Sequence, residues 1–179
     1  MFSINESLLL VIDVQGNLAY RMHDQTNLFK NIQKLIQGAE ILGIPIIYTE
    51  QAPEKIGKTV PEVAQYLVAH HPIAKTTFSC GGEPLFMETL KKSKRSQIII
   101  VGIEAHVCVY QTVVDLLEEE YEIQLVVDAI SSRTPENKQL ALNKMYSFGA
   151  GLTSAEMIMT ELLKTSTHPK FKEILGLIR

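Results

Sequence analysis

Four short stretches of the chain, Leu8 to Ile12, Ile44 to Tyr48, Ile98 to Val101 and Ile123 to Val127, are apolar at nearly every consecutive position rather than at every second one. A strand with one wet face alternates, so runs of this kind belong to strands covered on both faces, the condition met in a parallel sheet. Between them lie stretches with helical spacing: Leu28, Ile32, Leu35, Ile36 and Ala39, then Val109, Thr112, Val113, Leu116 and Leu117. Each can lay one stripe on a sheet. Thr134-Pro135 reads as a helix cap followed by proline in the first turn, and Thr153-Ser154-Ala155-Glu156 as a capping box. Shorter strands are expected at Pro72 to Thr77 and Gly151 to Thr153. Strand alternating with helix over the whole length predicts a three-layer α/β/α fold around a parallel sheet.

The length of 179 residues suits one domain, residues 1–179, with a core over about 7–163 and a terminal helix over 168–178 after the polar break at Lys164 to Pro169. With 46% hydrophobic and 21% charged residues the chain can bury a core, which excludes a disordered or fibrous protein. The net charge of -3, with no like-charge block beyond Glu118-Glu119-Glu120, argues against nucleic-acid or anionic-membrane partners and for a small-molecule substrate. The longest apolar run is far short of the ~20 residues a membrane helix needs. No basic segment followed by a small-residue cleavage site is visible near the start, so a cytoplasmic location is expected. In a reducing compartment Cys80 and Cys108 are expected to be free thiols.

Ligands of open α/β sheets bind outside the carboxyl ends of the strands, which selects the polar residues that close apolar runs. Asp13 closes the first, Glu50 and Gln51 follow the second, Lys75 lies in or after the third, Gly102 to Cys108 follow the fourth, and Asp128 closes the fifth. Asp128 alone reads as a helix cap or loop hydrogen bond. Asp13 is harder to explain that way, because Gln15, Gly16 and Asn17 read as loop. Cys108 falls in the opening turn of a helix expected over Ala105 to Glu120, where free N–H groups and the helix dipole lower a thiol's pKa. In the strand order 3-2-1-4-5-6, strands one and four meet where the winding reverses, so Asp13 and Cys108 would share a crevice within reach of Lys75. The residues alone also leave open a buried, inert Cys108, a common fate of free cysteine.

Together, Leu8 to Gln15 (LLLVIDVQ), Lys75-Thr76-Thr77-Phe78-Ser79, Val101 to Val109 (VGIEAHVCV) and Val127 to Arg133 (VDAISSR) resemble the isochorismatase-like cysteine hydrolase superfamily, in order from Ser7 to about Leu163. The resemblance implies the 3-2-1-4-5-6 sheet and an Asp-Lys-Cys triad of Asp13, Lys75 and Cys108. It further implies thioester-forming hydrolysis of a small amide or related C–N bond, and assembly into a homo-oligomer. It also implies a non-proline cis bond at Ile103-Glu104 that turns the Glu104 backbone N–H, with that of Cys108, toward an oxyanion. The segment after the second strand lacks the histidines of the metal-bearing nicotinamidases. Its Glu50-Gln51-x-Pro53 and Gly57-x-Thr59-x-Pro61 pattern is similar to the metal-free isochorismatase domain-containing hydrolases, so no metal or organic cofactor is expected. Gln15, Tyr20, Glu50, Gln51 and Phe78 are the expected substrate contacts, with Tyr110 a further candidate wall. His70 and His71 read as loop residues, His106 as a solvated helix start, Cys80 as loop packing, and Arg133 as without a catalytic role. Two other readings stand beside this one: a vinyl-ether hydrolase of the isochorismatase type, disfavoured by the retained cysteine, and a binding or assembly protein on the same fold.

Overall fold

In the computed structural model, which describes residues 1–179, the strands are β1 (Ser7–Ile12), β2 (Ile46–Gln51), β3 (Ile73–Lys75), β4 (Gln97–Gly102), β5 (Glu122–Ile130) and β6 (Gly151–Thr153). They form one sheet in the order β3-β2-β1-β4-β5-β6, with every neighbouring pair parallel. Every residue of β1 and β4 is buried, which accounts for the apolar runs Leu8 to Ile12 and Ile98 to Val101 within them. The helices are α1 (Gly16–Ala19), α2 (Gln25–Leu42), α3 (Pro53–Ile56), α4 (Pro61–Ala64), α5 (Pro84–Ser93), α6 (Tyr110–Glu118), α7 (Pro135–Ser147), α8 (Ala155–Leu163) and α9 (Phe171–Ile178). Leu9 and Val11 pack with α2, α8 and α9 on one face, and Leu8, Leu10 and Ile12 with α5, α6 and α7 on the other. The chain therefore builds two cores, one per sheet face. No helix is long and apolar enough to cross a membrane.

Several elements differ from the sequence reading, each for a local reason. β2 starts at Ile46, because Gly43, at φ +67, ends α2 and the Ile44 N–H turns back to the Ala39 carbonyl at 2.8 Å. It then runs three residues past the apolar stretch, so Thr49, Glu50 and Gln51 lie inside the sheet, opposite Ile73, Ala74 and Lys75. The segment expected as loop after Asp13 forms the single turn α1, with the Gly16 N–H donating to Lys58 O at 3.0 Å and the Ala19 N–H to Gln15 O at 3.0 Å. The helix expected over Ala105 to Glu120 opens as a π-helical turn, Ala105–Val109, before α6 begins. Such turns are rare and often mark functional sites.

The caps fall close to their sequence signals. Thr134 Oγ1 accepts from the Asn137 N–H at 3.2 Å at the start of α7. At α8 the cap is Ser154, whose Oγ accepts from the Met157 N–H at 3.2 Å; this puts Glu156 one position too early for the expected capping box. Asp128 Oδ1 accepts from the Ala155 N–H at 2.9 Å, the helix-capping role its position suggested. α9 begins at Phe171 and buries Ile174 in the core that α2 helps to form. Gly102, at φ +120, closes β4 where a side chain has no room: an added Cβ would stand 2.1 Å from the Ile12 carbonyl oxygen.

Candidate active site

At the carboxyl ends of β1, β2 and β3 the backbone delivers polar side chains toward the same point. Asp13 follows β1 at φ +51, a left-handed conformation unusual outside glycine and costly enough to be concentrated at functional sites. Its carboxylate is held from two sides: Thr49 Oγ1 donates to Oδ1 at 2.7 Å and Lys75 Nζ donates to Oδ2 at 2.7 Å. Lys75, only 2% exposed, also donates to Gln51 Oε1 at 2.8 Å and Phe78 O at 3.0 Å, with Thr77 O at 3.2 Å. Three N–H bonds thus face four acceptors. A buried ammonium needs such partners, since desolvation of an isolated ion is expensive.

Cys108 lies in the π-helical turn and is 7% exposed. Its thiol is pushed up to about 12, first by burial and then by the negative charge of Asp13, which also acts on it as a hydrogen-bond acceptor; Lys75 pulls the other way. The sequence expectation of a lowered thiol pKa is therefore corrected. The positive helix start competes with burial and a neighbouring carboxylate, and it loses. At rest the sulfur is a neutral thiol beside a base.

Two further residues belong to this cluster and were not singled out for it in the sequence. Thr49 fixes Asp13, and its alternation with Gln51 along β2 is the signal that would have found it. Cys80 is fully buried behind the triad: its Sγ lies 3.8 Å from Thr49 Oγ1 and its N–H donates to Thr112 Oγ1 at 2.9 Å. Burial pushes its thiol up to about 11. No sequence pattern announces Cys80, because a loop and a 3-10 turn bring it there.

A cavity of about 110 Å³ opens onto Asp13, Glu104 and Cys108. Phe78, expected as a substrate contact, stands at its mouth with 55% of its surface exposed. Gln15 and Gln51 also reach the cavity. Gln15 Nε2 donates to Gly57 O at 2.6 Å and Gln51 O at 3.2 Å, and its Oε1 accepts from the Gln51 N–H at 2.6 Å, so this amide staples β1, β2 and α3 together. The Ile103-Glu104 peptide is cis. The Glu104 N–H makes no hydrogen bond within the protein, and the Glu104 carboxylate accepts from Arg133 Nε at 3.0 Å and from its backbone N–H at 3.2 Å.

Two expected contacts do not line this cavity. Glu50 points to the opposite sheet face from Thr49 and Gln51, where its Oε1 accepts from the Thr59 N–H at 2.7 Å and Oγ1 at 2.8 Å. Tyr20 turns outward, its hydroxyl donating to Glu62 at 2.8 Å and its ring edge meeting Phe29. Tyr110 packs beside Phe148 rather than in the cavity. His106 Nδ1 sits 3.0 Å from Ser132 Oγ, and His70 pairs with Glu40 at 2.5 Å. No three His, Cys, Asp or Glu side chains gather as a metal-binding group. A larger polar crevice of about 370 Å³, among Asp24, Asn31, Asp128 and Lys138, holds no nucleophile aligned with a base.

A parallel α/β sheet of this order, with a thiol, a carboxylate and an ammonium at its switch point, defines an isochorismatase-like hydrolase fold. The isochorismatase domain pattern matches residues 7–157, and the chain belongs to the isochorismatase family. It is 36% identical to isochorismatase domain-containing protein 2 of Danio rerio over 176 residues, covering 98% of this chain and 88% of that protein. It is 37% identical to isochorismatase domain-containing protein 1 of Salmo salar over 147 residues, 82% of this chain and 52% of that one. Among solved structures, one described as MAR1 ribonuclease from Caenorhabditis elegans superposes with a TM-score of 0.92 at 41% identity, covering 99% of this chain and 91% of that one. YcaC from Pseudomonas aeruginosa, solved with hexane-2,5-diol and covalent acrylamide, gives a TM-score of 0.92 at 25% identity over 98% of this chain and 90% of that one.

Proposed function

We propose that this 179-residue unit is a cysteine hydrolase that cleaves a small amide or related C–N bond through a thioester on Cys108. The observation that carries the reading is the Asp13 carboxylate, buried and clamped by Thr49 and Lys75 beside the Cys108 thiol, where both line one small cavity. A high thiol pKa fits a mechanism in which deprotonation accompanies attack. As sulfur bonds to the substrate carbonyl carbon, the S–H proton passes to Asp13 and the carbonyl π pair becomes an oxyanion, received by the Glu104 and Cys108 N–H groups. Collapse of the oxyanion breaks the C–N bond, and nitrogen leaves with the proton from Asp13. Water then attacks the thioester while giving a proton to Asp13, the C–S bond breaks, and that proton returns to sulfur. The products are a carboxylic acid and ammonia or an amine, with the enzyme restored. Lys75, 2.7 Å from Asp13 Oδ2, holds the carboxyl group in place through these transfers.

Covalent acrylamide on YcaC is in keeping with a reactive site on this fold. A ribonuclease reaction, named for the C. elegans relative, fits this chain poorly: its net charge is -3 and its cavity of about 110 Å³ is smaller than a nucleotide requires. The E. coli YcaC structure is described as an octameric hydrolase, and we propose that this chain, too, works as a homo-oligomer. The test is ammonia release from a panel of small amides and N-carbamoyl compounds by the parent protein, Cys108→Ala and Asp13→Asn. Parent-only turnover supports the reading. Turnover by Cys108→Ala at the parent rate contradicts it, and binding of a panel member with no turnover favours the binding-protein alternative.

A further inference from the structure

Almost every polar side chain that reaches the cavity is already engaged by another protein group. Asp13 is held by Thr49 and Lys75, the Gln15 amide by the backbone of Gln51 and Gly57, and the Gln51 amide by Lys75 and Thr76. Lys75 does not line the cavity; its ammonium lies beneath, on protein acceptors. The remaining wall is Leu18, Ile56, Phe78, Ile103 and Val107. No cation is free to meet an anionic substrate. The one imbalance is negative, because Glu104 is 8% exposed while the side chain of its partner Arg133 is 57% exposed and its charge is spent partly on water.

We propose that the site selects a short, uncharged acyl group of at most about five heavy atoms, and rejects amides that carry a carboxylate. This rests on the cysteine-hydrolase reading and narrows its substrate class. An apolar cavity of ~150 Å³ takes benzene, with six heavy atoms. By proportion, the space of about 110 Å³ takes four or five. A carboxylate pressed into this wall would lose its water beside Glu104 and gain no counter-charge. The substrate's own amide needs only backbone N–H groups, which the apolar wall leaves free to act.

Two matched probes test the selection apart from turnover. Alkylation by iodoacetamide forms the S–C bond on Cys108 as the C–I bond breaks, with iodide leaving and the thiol proton passing to Asp13. Iodoacetate does the same chemistry with a carboxylate in place of the amide. With each rate divided by that for glutathione, Cys108 is expected to favour iodoacetamide by at least about 100-fold, read by intact mass and peptide mapping. In turnover, butyramide is expected to exceed succinamate by at least about 100-fold and hexanamide by about 10-fold, with Phe78→Ala restoring hexanamide. Equal labelling by the charged reagent, or better turnover of succinamate, overturns the selection while leaving Cys108 as nucleophile. Labelling by neither reagent, where the urea-unfolded chain labels with both, overturns the nucleophile and the selection together.

Discussion

Replacing Lys75 by methionine keeps most of the side-chain volume and removes the ammonium, so its effect on folding reads the loss of that charge and its hydrogen bonds. The pair it breaks has Nζ 2.7 Å from Asp13 Oδ2, with side chains 0% and 6% exposed. Stranding one member of such a pair typically costs about 3–5 kcal/mol, because a carboxylate is left desolvated without its partner. Gln51 Oε1 and the Phe78 carbonyl also lose their donor, which puts the change toward the upper end. At about 2–4 °C per kcal/mol for a chain of this size, Lys75→Met should melt on the order of 10 °C below the parent. Asp13→Asn strands the ammonium and should cost a similar amount. With both substitutions neither charge of the pair remains buried, so the double variant should lose at least about 2 kcal/mol less than the two single losses added together. Urea melts at pH 7 followed by far-UV circular dichroism, with slopes matched among the variants, give the four free energies. Losses that add to within about 0.5 kcal/mol would show that the two groups do not act as one charged unit.

Gly102→Ala should cost at least about 3 kcal/mol by urea melt, since its Cβ would stand 2.1 Å from backbone at Ile12, whereas Gly43→Ala, with nothing within 4 Å, should cost about 1 kcal/mol. Stability should also fall as the solution turns alkaline. The folded protein holds its thiol protons to about 12 at Cys108 and about 11 at Cys80, while an unfolded thiol releases its proton near ~8.5. Below that value both states are protonated and the thiols give no slope. Above it the unfolded chain binds fewer protons, so the folding free energy declines, by a few kcal/mol as an order of magnitude by pH 11. The parent urea midpoint should therefore drop more between pH 8 and 10.5 than that of a Cys80→Ala, Cys108→Ala variant. Parallel curves would refute the raised thiols.

The sheet was legible because the runs at Leu8, Ile98 and Ile123 are apolar on both faces, a pattern that only a doubly covered strand rewards. The β2 end was misjudged because Thr49, Glu50 and Gln51 are polar, yet they continue the strand. Once they do, alternation alone sends Thr49 toward Asp13, Gln51 toward Lys75 and Glu50 to the other face. The convergence of Asp13 and Cys108 followed from strands one and four being neighbours, a matter of topology. The thiol's protonation did not follow, because it depends on how much water reaches Cys108 and how near Asp13 comes, quantities set by packing. Cys80 was unreadable for the same reason: only the path of the chain after Lys75 places it behind the triad. Tyr20 faces outward because α1, which precedes it directly, replaced the expected loop.

Turnover by the proposed route requires that the sulfur of Cys108 become covalently acylated. Rapid quenching in acid during steady turnover of a short amide, followed by intact mass and peptide mapping, reads this directly. A mass increase equal to the acyl group is expected on the peptide carrying Cys108, absent in Cys108→Ala and cleared by water once substrate is exhausted. Steady turnover with an unmodified Cys108 peptide at every quench time, matched by undiminished turnover in Cys108→Ala, would contradict it.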